Sequence, residues 1–148
     1  MTALAIGFAG PRPYRAPERS RSRILLALLN LARDMVADAI TGGASYTRFN
    51  NANARLGVGN SNVAFNAAHT GLQGGSTAFK AMDATYPSRA SNVVTYRSTF
   101  TTAEANFAWE EIVVDNGTNT LSRTVSSLGT KTAAASWVLT HTQTWVLV

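Results

Sequence analysis

The sequence predicts a mainly β protein: an antiparallel, jelly-roll-like β-sandwich with an extended N-terminal arm and one α-helix. Three observations predict it. Only 14% of residues are charged while 45% are apolar, and the remainder is dominated by Ala, Thr, Ser, Asn and Gly, the composition of a packed β protein. Turn signals such as Asp115-Asn116-Gly117 and Leu128-Gly129-Thr130 punctuate stretches of alternating apolar and polar residues. Helical periodicity is convincing in one place alone, before residue 41. At 148 residues, one domain with a real core is expected. We divide the chain into a basic arm (1–23), a helix with its cap (24–43) and a sandwich (44–148).

Charge is unevenly placed. Up to Arg33 there are six arginines and one glutamate, a net +5. From Asp34 onward seven basic and seven acidic residues cancel. A neutral body carrying a basic arm is a different object from a basic domain. In the arm Pro11, Pro13 and Pro17 forbid a regular helix. Arg12, Arg15, Arg19, Arg21 and Arg23 are interleaved with them and with Tyr14. Two readings stay open: a solvated tail, or an arm that orders on an acidic partner through bidentate arginine contacts. Nucleic acid is disfavoured as that partner, because Tyr14 stands alone and stacking aromatics are missing.

Residues 22–40 are read as the helix. Leu25, Leu28, Leu29, Ala32, Val36, Ala39 and Ile40 recur at helical spacing on one face, with Asn30, Asp34 and Asp38 opposite. Ser20 or Ser22 is placed to cap the start, and Gly42-Gly43 to stop it in a left-handed turn. The apolar face suits either the chain's own sandwich or a neighbouring subunit. Residues 54–59 read as one strand ended by a Gly-Asn turn, and 63–75 as a surface loop. Residues 76–87 and 92–101 are expected to form a hairpin joined through 87–91. Residues 107–114 form the next strand, with Phe107, Trp109 and Glu111 on one side. Alternation fails at Ile112-Val113-Val114, as in a strand buried on both faces or carrying a bulge. A turn at 115–118, a return strand at 121–126 and a turn at 128–131 follow. Residues 136–148 make the final strand. There Trp137, Leu139, His141, Gln143, Trp145 and Leu147 share one face, and the β-branched Val138, Thr140, Thr142, Thr144, Val146 and Val148 share the other. Residues 107–148 together are expected to be the organising meander of a six- or seven-stranded sandwich.

Chemistry is sparse. Cysteine is missing, so disulfides and thiolate metal sites are excluded. The two histidines, His69 and His141, show no metal-ligand spacing, and neither a metal nor a cofactor is expected. Gly57-Val58-Gly59 lacks the lysine and helix of a phosphate loop. Glu110 and Glu111 are adjacent in a strand and point apart, so they cannot act as a catalytic pair. We expect one of them to be solvated, and Glu111 to form a salt bridge or cap backbone amides. A serine triad is assembled in space and is not legible here, and the sequence lacks a nucleophile elbow. Trp109, Trp137 and Trp145 would suit sugar stacking only if exposed; in strands they read as core. No apolar stretch reaches the roughly 18 residues of a membrane span. The arginines follow the mildly apolar segment 1–10 rather than precede it, the reverse of a signal peptide.

Two stretches carry a resemblance. Leu56-Gly57-Val58-Gly59-Asn60-Ser61, with Ala64-Phe65 and Leu72-Gln73-Gly74, resembles a segment of small virion proteins of tailed bacteriophages. Glu104-Ala105-Asn106-Phe107-Ala108-Trp109-Glu110-Glu111, with Asp115, Gly117, Leu121 and Ser127-Leu128-Gly129-Thr130-Lys131-Thr132, resembles the second half of the same proteins. The match spans residues 39–148, and is also similar to the sheet region of phage tail-collar fibre proteins. The resemblance implies a non-enzymatic sandwich in the virion, often a homotrimer, serving as a capsid decoration (cement) protein on the major capsid protein or as a tail or fibre part on a tail protein. On that reading Arg12, Tyr14, Arg15, Arg19, Arg21, Arg23, Leu25 and Leu28 are the residues expected to meet the partner. A carbohydrate-binding module is the remote alternative.

Overall fold

The computed structural model describes residues 29–145. They form a helix, α1 (Asn30–Ile40), and seven strands: β1 (Arg55–Gly59), β2 (Thr77–Ala81), β3 (Ser88–Ala90), β4 (Val93–Phe100), β5 (Ala108–Asp115), β6 (Thr120–Thr130) and β7 (Trp137–Thr144). They build two antiparallel sheets, a four-stranded one in the order β2-β1-β5-β6 and a three-stranded one in the order β3-β4-β7. The described residues therefore have the expected fold, an antiparallel sandwich with one helix. The arm (1–23), the first turns of the expected helix, and 146–148 lie outside the described residues.

The core lies between the sheets. Leu56, Val58, Ile112 and Val114 of the larger sheet meet Tyr96, Phe100 and Leu139 of the smaller. Trp109 closes one end. Its ring lies 4.9 Å from Phe100 and 5.0 Å from Trp137, both edge-to-face, and its indole N–H donates to the Ala105 carbonyl at 2.9 Å. Each such buried side chain contributes about 1.5–3 kcal/mol, and aromatic pairs add about 0.5–1.5 kcal/mol. Val113 is also buried, so Ile112-Val113-Val114 is enclosed from both sides, as the loss of alternation predicts.

α1 packs at the free edge of β6. Leu29, extended just before the helix, donates its N–H to the Leu121 carbonyl, and Leu29, Ala32 and Met35 are buried. The helix stops as expected. Gly42 adopts φ +78°, and the Gly42 and Gly43 amides donate to the Ala39 and Asp38 carbonyls, a Schellman closure.

Six expectations are corrected. α1 begins at Asn30, because Leu29 is extended and stands at its N-cap with no side-chain cap; the expected caps Ser20 and Ser22 lie outside the described residues. Its inward stripe is Leu29, Ala32 and Met35, while Ala39 and Ile40 face outward, Ile40 at 79% exposure. Residues 76–87 do not pair with 92–101: β2 pairs with β1, and the hairpin is the short β3 against β4 across Ser91-Asn92, with Ser91 at φ +54°. β6 runs on through Gly129, which adopts φ +96° opposite Trp109, where a turn is expected. Residues 107–148 are not one meander, since β5 and β6 belong to one sheet and β7 crosses to the other. A register shift between Trp109 and Glu111 also separates two residues expected on one side: Trp109 enters the core and Glu111 faces away from it. The alternation of β7 is as expected, with Trp137, Leu139, His141 and Gln143 inward and Val138, Thr140, Thr142 and Thr144 exposed.

Candidate functional site

The densest polar construction is on the outer side of the four-stranded sheet. Glu111 of β5 and Arg123 of β6 have fully buried side chains and form a salt bridge at 2.6 Å. The carboxylate also accepts the backbone N–H groups of Gln73 and Gly74 at 2.7 to 3.1 Å. The guanidinium donates to the Val63 carbonyl at 3.0 Å and lies 3.3 Å from His69 Nδ1. The pair therefore fastens the otherwise irregular segment 60–76 over the sheet. Gly59, opposite Glu111 in the register, makes room for it: a Cβ there would stand 2.4 Å from the carboxylate oxygen. This fulfils both expectations for Glu111 at once, ion pair and amide cap. It also uses both carboxylate oxygens, so neither is available to a substrate.

Three further ion pairs engage charged groups elsewhere in the body. Arg55 is bound to Asp115 at 2.5 Å, Lys80 to Glu104 at 2.6 Å and Arg97 to Asp83 at 3.2 Å. Arg55 also stacks on the Phe79 ring at 4.2 Å. Asp115 accepts the Gly117 N–H and the Thr120 hydroxyl, fixing the β5–β6 turn. Lys131 is buried with its ammonium on Asn106 Oδ1 at 2.9 Å, while its backbone N–H joins the Phe107 carbonyl. These four ion pairs consume four of the seven basic and four of the seven acidic residues beyond Arg33.

Three groups titrate away from their ordinary ranges. The Lys80 hydrogen bond, helped by the Thr101 backbone N–H, pulls the Glu104 carboxyl down to about 2. Burial pushes the Tyr96 hydroxyl up to about 12. Burial also lowers His141, which lies beside Tyr96 with ring centroids 6.5 Å apart. None of these is paired as acid and base. Among the described residues neither histidine is hydrogen-bonded to a serine or a carboxylate, and no three His, Asp or Glu side chains cluster as metal ligands.

Every residue expected to meet a partner (Arg12, Tyr14, Arg15, Arg19, Arg21, Arg23, Leu25 and Leu28) lies outside the described residues. Of the tryptophans, Trp109 is buried and Trp137 half-buried in the core; Trp145 is 37% exposed. The groups that sequence reasoning missed are Arg123, His69 and Lys131. Arg123 sits between Ser122 and Thr124 with nothing to mark it as buried; the need of a buried Glu111 for a cation was the only available signal.

Comparison with known proteins gives no relationship: no family model, no curated protein and no solved structure matches the chain.

What the described surface does offer is an open side. On the three-stranded sheet β3 is exposed throughout, and Val138, Thr140, Thr142 and Thr144 of β7 are all exposed, Val138 at 53%. Neither α1 nor the segment 60–76 makes a hydrogen bond to that sheet. The only described backbone bond that continues β7 is the Trp145 N–H to the Asn92 carbonyl, within the same β4–β7 ladder. Such a surface can bind through backbone groups and β-branched side chains.

Proposed function

We propose that this chain is a non-enzymatic structural protein of a bacteriophage virion, a capsid decoration protein that binds the outer shell and stabilises it by bridging neighbouring capsid subunits. The observation that carries the reading is the division of charge. The excess of +5 falls entirely within the first 33 residues, while the body is neutral, with four ion pairs among its described residues. A body with its polar groups turned on itself is a scaffold, and the arginine-rich arm is the part left to recognise an acidic protein surface. Contacts of modest strength spread over several subunits add through effective concentration. The resemblance of residues 39–148 to small virion proteins supplies the particle.

The test is occupancy on purified particles. Removing residues 1–23, or changing Arg12, Arg15, Arg19, Arg21 and Arg23 to glutamate, is expected to abolish shell binding while the body stays folded. Unchanged occupancy would overturn the role of the arm. The similarity to the sheet region of tail-collar fibre proteins supports a second reading, a tail or fibre-attachment protein. Copy number separates the two: hundreds per particle for a shell protein, a few dozen or fewer for a tail part.

A further inference from the structure

Each sheet of an open sandwich has two edges, and the four edges here are not guarded alike. β2 is five residues long and carries Lys80. β3 is three residues long and carries Arg89. β6 is covered at Leu121 by the extended residue before α1, and bends at Gly129. Short strands, charges, covers and irregularities are the usual protections of an edge. Among the described residues β7 has none of them. Its eight residues, Trp-Val-Leu-Thr-His-Thr-Gln-Thr, include no lysine, arginine, acid, proline or glycine. One side of it pairs with β4 in unbroken register from Val93↔Thr144 to Phe100↔Trp137. No described residue pairs with the other side.

We propose that the free edge of β7 is the interface for a second copy of this chain, joined antiparallel about a two-fold axis into a continuous six-stranded sheet, β3-β4-β7-β7-β4-β3. The neutrality of the strand selects the occupant. A charged partner strand would find no counter-charge on β7, and the one charged group on the outer face of β4, Arg97, is held by Asp83. A second copy matches it in length, twist and neutrality. Around a two-fold axis normal to the sheet, outward residues stand opposite outward residues. The exposed row Val138, Thr140, Thr142 and Thr144 then continues as a β-branched row across the junction, the kind of cross-strand pair that stabilises sheets. The inward row Leu139, His141 and Gln143 likewise extends the core side. A shell subunit that dimerises in this way would present two arms, so the inference adds a valence to the proposed function without depending on it.

The full-length chain tests this directly. Sedimentation over a dilution series should show reversible association to twice the chain mass. The double variant Thr140→Lys and Thr142→Lys should sediment as a monomer while keeping its circular dichroism and, at dilutions where the parent is also monomeric, its denaturation midpoint, because both side chains are already in water. Since the chain has no cysteine, Thr140→Cys gives a single reporter: mild oxidation should yield a disulfide-linked dimer, whereas Ser88→Cys on β3 should not. A wild-type monomer at every concentration overturns the proposal, as does a trimer, or a dimer that survives the two lysines. A dimer that fails to bind particles would sink the virion reading and leave this interface standing.

Discussion

The two sheets of this protein are finished to different degrees. The four-stranded sheet is covered by its own chain. Segment 60–76 is fastened over it by Glu111 and Arg123, and α1 lies at its β6 edge. The three-stranded sheet has an outer face exposed at β3 and β7 and, among the described residues, an unpaired edge at β7. The contrast locates two kinds of work. Buried charge in the first sheet fixes one arrangement of an irregular segment that could not hold itself by apolar burial. The second sheet has, among the described residues, free hydrogen-bonding capacity at β7 and an exposed β-branched row.

Several substitutions break or sharpen that contrast. The largest effect is expected at Glu111. Glu111→Gln keeps the shape but leaves the fully buried Arg123 without its counter-charge, and removing one partner of a buried pair costs about 3–5 kcal/mol. Chemical denaturation should show it as a lower midpoint. Glu104→Gln is the control on an exposed pair and should move the midpoint far less. Next comes Gly59→Ala, which places a methyl 2.4 Å from the Glu111 carboxylate. Forced displacement of this kind costs about 1–3 kcal/mol, and should also raise the exchange rates of the Gln73 and Gly74 amides.

A smaller, pH-dependent effect belongs to His141. Its folded-state pKa lies below the ordinary 6.5 because burial strips water from the charged form. The unfolded chain therefore binds the proton more readily. Stability is full above pH 6.5 and falls as the pH drops from there through the folded-state pKa. His141→Gln should flatten that slope in a series of thermal melts. The smallest effect is expected for Thr142→Lys on the open sheet, within about 0.5 kcal/mol of the parent.

Legibility in the sequence followed the same division. β7 was readable because one face is buried and the other wet, which is the condition for clean period-2 alternation. The role of Glu111 was readable because an acid inside an apolar strand has few acceptable partners. The Gly42-Gly43 stop was readable because that chemistry is local. What could not be read depended on distant segments. Residues 76–87 look like half of a hairpin with 92–101, but β2 finds β1 instead. The helix start was misplaced because apolar spacing runs through Leu25, Leu28 and Leu29, whereas the extended Leu29 is bonded to a strand far along the chain. The shift that parts Trp109 from Glu111 leaves no mark in composition, and it moved one residue to the core and the other to the opposite side.

Residue-resolved amide hydrogen exchange, measured on the full-length chain at low and at high protein concentration, tests the contrast most directly. The Gln73 and Gly74 amides and the β5 ladder should exchange slowly at both concentrations, because the chain itself holds them. The outward amides of β7 should exchange fast when dilute and slow when concentrated. Fast exchange at Gln73 and Gly74, or β7 amides equally protected at every dilution, would contradict a protein with one sheet closed by its own chain and the other left open.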